Sequence, residues 1–234
     1  NNLLVMASQV CPYSCTYCCN HLLKSLYTNN TKYLRFKSVD RLIDEISDGL
    51  KQYPFLERVG FLDDTLSQNK KWFNEFVEKY SSKIKLPYSC NDRVNQINAH
   101  IADGFKKSRC TLVELGIESG NEYIRNTVMH RRISEKKTIE AYAILRDHDI
   151  KTTAFNIFGV PHETMQTLLD TVKLNARAQP DYFTNAYFQP FKGTALYNIC
   201  KENNILFDEV RSSFFEKPTV RLETVSEDQI MFVY

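Results

Sequence analysis

Three cysteines stand at intervals of four and three in Cys11-Pro-Tyr-Ser-Cys15-Thr-Tyr-Cys18, directly behind an apolar run at 3–7. Thiolates this close in sequence wrap one metal centre with little loop-closure cost, and they select zinc, copper(I) or iron–sulfur clusters over hard cations. The number three is informative. A structural zinc site closes with four protein ligands, and an iron–sulfur cluster is ordinarily tied by four cysteines. Three thiolates on a four-iron cluster leave one iron free for a small ligand. Zinc stays open if His21 completes a Cys11/Cys15/Cys18/His21 set, with Cys19 nearby, and so do plain buried thiols. A Cys15–Cys18 disulfide would close a tiny, strained loop.

The elements that must position these sulfurs follow from periodicity. Run 3–7 reads as a strand that spills into the cysteine loop, and 22–37, mixed and without a period, as an irregular surface connection. Ser38 reads as a helix N-cap, with Val39, Leu42, Ile43, Ile46 and Leu50 at helical spacing until Pro54 ends the helix. Strands at 58–62, 86–90, 111–116, 151–158 and 182–188 then alternate with helices carried by Trp72, Phe73, Phe76, Val77 and Tyr80, by Val94, Ile97, Ile101 and Phe105, by 139–145, by 168–176 and by 196–200. Six strand–helix units in series demand a parallel sheet with right-handed crossovers. No Gly-x-Gly-x-x-Gly follows the first strand, so a dinucleotide fold loses ground to a barrel. An eight-unit barrel takes about 250 residues, and only six units are present. From residue 205 the alternation stops.

Barrels of this kind carry their chemistry at the C-terminal ends of the strands. The polar residues there are Cys11 to Cys18, Asp63 and Asp64, Asn91 and Arg93, Glu118 and Ser119, Asn156 with the Gly159-Val-Pro-His-Glu163 turn, and the stretch from Gln189 to Thr194. Asp63 and Asp64 could equally cap the next helix, Glu118 likewise, and Asn91 and Arg93 could close a turn. Cys90, Cys110 and Cys200 fall in apolar surroundings and read as small core residues, whereas Cys19 and His21 are candidates to line the pocket.

Cys-x3-Cys-x-aromatic-Cys behind a first strand, with Tyr17 in the aromatic slot, resembles the signature of the radical S-adenosylmethionine (SAM) enzymes. The resemblance implies a partial (βα)6 TIM-like barrel, with Cys11, Cys15 and Cys18 holding a [4Fe-4S] cluster. Its free iron would chelate SAM, which one electron cleaves to a 5'-deoxyadenosyl radical. It also implies SAM contacts. Gly116-Ile-Glu118-Ser119-Gly120 resembles the fourth-strand motif, Arg131 in Met129-His-Arg131-Arg132 the arginine paired with the SAM carboxylate, and Ile157-Phe-Gly159-Val-Pro161 the fifth-strand motif near adenine. Asp63 and Asp64 fall where the second strand passes the SAM amino group. Tyr17, Asn91, Arg93, Asn156 and Gln189 complete the implied SAM-binding set. The residue alternatives are a solvated basic segment for Arg131 and a turn glycine for Gly159. No residue is assigned to proton transfer or radical quenching.

Together with Phe61-Leu-Asp-Asp64 and Gln189-Pro-Phe-Lys-Gly-Thr194, these motifs are similar to the cobalamin-binding radical SAM class, including magnesium-protoporphyrin ester cyclase-like proteins and methyltransferases, over residues 3–204. That kinship implies methylation or cyclisation at an unactivated carbon, an electron donor such as flavodoxin or ferredoxin, and cobalamin. The last rests on kinship alone, because the chain has no Asp-x-His-x-x-Gly motif for a lower corrin ligand. A cobalamin-free radical SAM enzyme and a non-catalytic zinc module that binds a protein or RNA are the alternatives.

The rest of the composition bounds the reading. At 234 residues and 43% hydrophobic the chain can bury one substantial core. A net charge of +2 argues against a general nucleic-acid binder, and no apolar run approaches a membrane span. No signal peptide is apparent, and seven cysteines, an odd number, fit a reducing cytoplasm, which makes the Asn29-Asn30-Thr31 glycosylation acceptor an accident. The expected division is a core at 1–204 and the start of a C-terminal extension at 205–234, with a further domain upstream. Most of the 15 Phe and 13 Tyr read as core.

Overall fold

A computed structural model of the chain describes residues 1–9, 11–27, 33–207 and 213–234. The Asn29-Asn30-Thr31 triplet lies outside the described residues. Six strands form one parallel sheet: β1 (Asn2–Val5), then, past a two-residue ribbon of β2 (Ser8–Gln9) and β3 (Arg35–Phe36), β4 (Arg58–Phe61), β5 (Tyr88–Asp92), β6 (Cys110–Glu118), β7 (Lys151–Phe158) and β8 (Tyr182–Tyr187). Their spatial order is β1-β4-β5-β6-β7-β8, the order of the chain, so each crossover steps to the next strand. Among the described residues β1 and β8 do not pair, which leaves the curved sheet open as a partial barrel. Among the described residues no helix is long and apolar enough to cross a membrane.

Helices α2 (Val39–Gln52), α3 (Lys70–Lys83), α4 (Ala99–Lys107), α5 (Glu135–Asp147), α6 (Met165–Ala178) and α7 (Ala195–Glu202) follow the six strands, the cysteine loop and a first short helix, α1 (Asn20–Ser25), preceding α2. Side-chain caps start them. Ser38, Asn69, Asn98, Ser134, Thr164 and Thr194 each accept a backbone N–H of the first turn, a contact worth about 1 kcal/mol apiece. The buried face of α2 is Val39, Leu42, Ile43 and Ile46, and that of α3 is Trp72, Phe73, Phe76, Val77 and Tyr80. Both meet the outer face of the sheet, where Phe61, Phe76, Tyr80 and Tyr88 pack edge to face or tilted with centroids 5.0–6.2 Å apart. Only eleven of the 28 Phe and Tyr side chains are buried, so the expectation that most are core is not met; Cys90, Cys110 and Cys200 are buried as read.

Several local expectations need correction. Within 22–37, read as irregular, residues 22–25 belong to α1, and because α1 buries none of its residues it leaves no apolar period to detect. The fourth helix begins at Ala99, not at Val94, because Asn98 is extended (φ −153°) and caps Ile101; Val94 and Ile97 are buried in the turn before it. Neither Asp63 nor Asp64 nor Glu118 caps a helix; the cap of α3 is Asn69. The β2–β3 ribbon and two further elements were not foreseen. A π-helical turn spans Tyr123–Val128, and α8 (Glu227–Val233) packs Ile230 against Phe158 and Tyr187.

Candidate functional site

The sheet's C-terminal edge surrounds a cavity of about 320 Å³ lined by Cys11, Cys15 and Cys18 together with Tyr17, Asp64, Asn91, Arg93, Glu118 and Arg131. The cysteine loop is pinned at its middle. Thr16 N–H donates to the Met129 carbonyl (3.3 Å), its hydroxyl to the Val128 carbonyl (2.6 Å), and its own carbonyl accepts Leu196 N–H (3.1 Å). All seven cysteines are free thiols. Burial pushes the Cys11 thiol up and that of Cys18 to about 11. Among the described residues no three His, Cys, Asp or Glu side chains form a group that could hold one metal ion. His21 gives its Nδ1 to the Cys18 carbonyl at 2.7 Å, Cys19 is exposed, and neither lines the cavity.

Opposite the sulfurs stands a buried charged group. Arg131 Nη1 donates to Glu118 Oε1 (3.0 Å) and to the Tyr17 hydroxyl (3.1 Å), which itself donates to Glu118 Oε1 (3.1 Å); Arg131 Nη2 donates to the Gly116 carbonyl (2.5 Å). Burial works against the charge of Arg131, but Tyr17 and Glu118 outweigh it and hold the guanidinium protonated above its ordinary range. Burial likewise drives the Tyr17 phenol well up, so it stays a neutral donor. The reading of Arg131 as part of a solvated basic segment therefore fails: its side chain is 7% exposed. A register shift between Gly116 and Glu118 and a left-handed φ of +64° at Glu118 aim this carboxylate, as bulges do at strand ends. A Cβ on Gly116 would stand 2.2 Å from Glu118 Oε1 and 2.8 Å from Arg131 Nη2, so the pair occupies the space a side chain would need.

The loop that carries Arg131 is fixed by Arg125, a fully buried residue of the π-helical turn. Its Nη1 donates to the Ser119 carbonyl (2.7 Å) and its Nε to the Ile133 carbonyl (2.8 Å), tying the end of β6 to the segment after Arg131.

Five of the anticipated residues lie outside the cavity. Asp63 turns away to accept Ala7 N–H (2.9 Å) and Ser8 N–H and hydroxyl (2.5 Å each), clamping the exit of β1 to the end of β4. Ser119 is buried beneath the turn, its hydroxyl accepting Asn121 N–H. Asn156 faces the helices, exchanging amide hydrogen bonds with Asn175 and donating to Asn185, because alternation along β7 gives the cavity face to Phe155. Gly159 has φ +80° and donates its N–H to Glu163 Oε2 (2.8 Å). Gln189 keeps a buried Oε1 without a hydrogen-bond partner among the described residues.

Asn20, Thr65, Asp92, Glu114, Gly116 and Phe155 line the cavity unannounced. The period of two on β6 was the available signal, since it puts Glu114 and Gly116 on the face of Glu118, and the register Gly116↔Phe155 then adds the neighbour. Asp92 is buried and pushed up to about 6, although Ser67 N–H (3.0 Å) and Arg93 N–H (2.7 Å) bond it.

Comparison with known proteins gives consistent matches. Residues 5–174 match the model of the Radical SAM superfamily. An uncharacterized methyltransferase of Pyrococcus horikoshii is 27% identical over 97% of this chain and 48% of its own length. The anaerobic magnesium-protoporphyrin IX monomethyl ester cyclase of Cereibacter sphaeroides is 24% identical over 87% of this chain and 33% of its own. The chain thus spans half or less of these relatives. The methyltransferase TsrM of Kitasatospora setae, solved with cobalamin and a [4Fe-4S] cluster, superposes with a TM-score of 0.71 at 15% identity, over 86% of this chain and 37% of that one. The cobalamin-dependent enzyme OxsB gives 0.64 at 15% identity, over 87% and 30%. At such identities the likeness is one of fold.

Proposed function

Because this chain belongs to the radical SAM superfamily, we propose that it is the catalytic core of an enzyme whose Cys11, Cys15 and Cys18 hold a [4Fe-4S] cluster and whose remaining cavity wall holds SAM. When bound, the cluster and SAM supply one-electron reductive cleavage of the sulfonium to a 5'-deoxyadenosyl radical that abstracts hydrogen from an unactivated carbon. The observation that carries the reading is the meeting of three free thiols and the Tyr17–Glu118–Arg131 group across one cavity. The chain's own residues bind and orient. Glu118 can accept ribose hydroxyls on the oxygen turned from Arg131, the Arg131 guanidinium supplies the cation for a carboxylate, and Asp64 and the amide oxygen of Asn91, whose Nδ2 donates to the Asp63 carbonyl, offer acceptors to the amino end. The Asp63 clamp holds the strand ends against which these groups are set.

The names of the relatives suggest cobalamin-assisted methylation or cyclisation. Residues 1–204 would then be the core and 205–234 the start of a C-terminal extension, with the corrinoid held by a domain upstream. A low-potential donor such as flavodoxin or ferredoxin would deliver the electron in a reducing cytoplasm.

Anaerobic purification with iron and sulfide should yield a brown, oxygen-sensitive protein that releases 5'-deoxyadenosine from SAM under dithionite, and Cys15→Ala should release none. A colourless protein holding one zinc per chain and collapsing with a chelator would sink the proposal. Added hydroxocobalamin, bound by a chain that includes the upstream sequence, would separate the cobalamin branch from the cobalamin-free one.

A further inference from the structure

Arg93 directly follows β5 and is 5% exposed, and its Nε is buried without a hydrogen-bond partner among the described residues. Its Nη1 lies 3.6 Å from Cys15 Sγ, its Nη2 donates to the Arg131 carbonyl at 2.5 Å, and its guanidinium carbon stands 3.8 Å from the centroid of the Tyr13 ring. Tyr13 belongs to the cysteine loop itself, and its hydroxyl is held by Asn95 Nδ2 (3.0 Å) and Gln96 Nε2 (2.8 Å). The guanidinium is thus clamped in a plane between a ring and a thiol, with its fork divided between sulfur and backbone. A stacked, forked cation in a buried site has little freedom to leave that position.

We propose that Arg93, oriented by Tyr13, is a positioning residue that sets the reduction potential of the cluster through Cys15. The inference rests on the reading that Cys15 ligates the cluster. Reduction adds one electron from an external low-potential donor and no proton, so the cluster with its three thiolates becomes more negative by one charge. A fixed cation hydrogen-bonded to one ligand sulfur favours that added charge, and hydrogen bonds to cluster sulfurs are a recognised control of potential. The effect is larger for buried groups, and Arg93 and Cys15 are both buried.

The test is an electron paramagnetic resonance (EPR)-monitored redox titration of the reconstituted chain without SAM, alongside SAM affinity by calorimetry. The wild type, Arg93→Lys, Arg93→Met and Tyr13→Leu are compared. Arg93→Met should move the midpoint to more negative values, Arg93→Lys less so because it keeps the charge but loses the fork, and Tyr13→Leu in the same direction by freeing the guanidinium. Midpoints equal to wild type in the variants that retain the cluster would overturn the proposal, and so would a fall in SAM affinity with no change in midpoint. Loss of the cluster from both Arg93 variants with an unshifted Tyr13→Leu would overturn it too. A wild-type chain that shows no reduced-cluster signal at all defeats the underlying ligand assignment instead, so the two failures are told apart.

Discussion

Glu118 shows how much one side chain can depend on its partners. It is buried against Arg131 at 3.0 Å, and removing one member of such a pair strands the other charge away from water. Glu118→Ala should therefore cost roughly 3–5 kcal/mol in urea denaturation, far more than a surface ion pair such as Lys51–Asp48. Glu163 makes a different prediction. It is wholly enclosed, accepts Gly159 and Val160 N–H on Oε2, and has a buried Oε1 with no hydrogen-bond partner among the described residues; burial pushes its carboxyl from 4.5 up to about 8. The unfolded chain loses this proton near 4.5 and the folded one near 8, so between those values the native state holds a proton the unfolded state has released. Stability should fall as pH rises through that window. Glu163→Gln should flatten the fall in a series of urea midpoints, and an unchanged slope would refute the assignment. Asp92, raised from 3.8 to about 6 by burial, adds a slope of the same sign at the acid end.

At the scale of elements, two glycines hold the top of the barrel for different reasons. A Cβ on Gly120 would lie 2.0 Å from the Asp170 carbonyl oxygen, which is backbone of α6 and cannot swing aside. Gly120→Ala should force β6 and α6 apart and cost at least about 3 kcal/mol, the upper end of overpacking. Gly159 has room, its nearest neighbour being Ile230 at 3.8 Å, but its φ is +80°. Gly159→Ala should cost only the left-handed conformation, roughly 1–2 kcal/mol. Thermal melts of the two variants side by side check the order. The N-cap of α2 was legible at Ser38, because a cap is a contact within four residues. The π-helical turn was not, since its reason is Arg125 reaching the Ser119 and Ile133 carbonyls, a side chain that reads locally as one more surface cation.

For the whole molecule, the last helix closes the far end of the sheet. Ile230 is buried, Tyr234 stacks on Tyr187 with centroids 4.2 Å apart, and the Tyr234 hydroxyl donates to the Asn185 carbonyl at 2.9 Å. Deleting residues 226–234 should uncover Phe158 and Tyr187 and cost roughly 3 kcal/mol from one buried aliphatic and one stacked ring. For a chain of this size that is a melting temperature lower by about 10 °C. A truncated chain that melts with the full one would show that α8 is an ornament rather than part of the core.

What the amino-acid order settled by itself was of short range or strict period: the three-sulfur loop, the six alternating units and the cap at Ser38. Those features depend on neighbours a few residues away, and their chemistry is written in residue type and spacing. Which polar group at a strand end turns inward was decided only by tertiary structure. Asp63 and Asp64 are adjacent and identical, yet Asp63 is taken by the backbone of Ala7 and Ser8 while Asp64 faces the cavity. Arg131 looked like one of a run of basic residues, and became a buried member of the site because Glu118 and Tyr17, 13 and 114 residues away, converge on it. Such a choice is made by the competition of distant partners for one side chain, and no local pattern carries it.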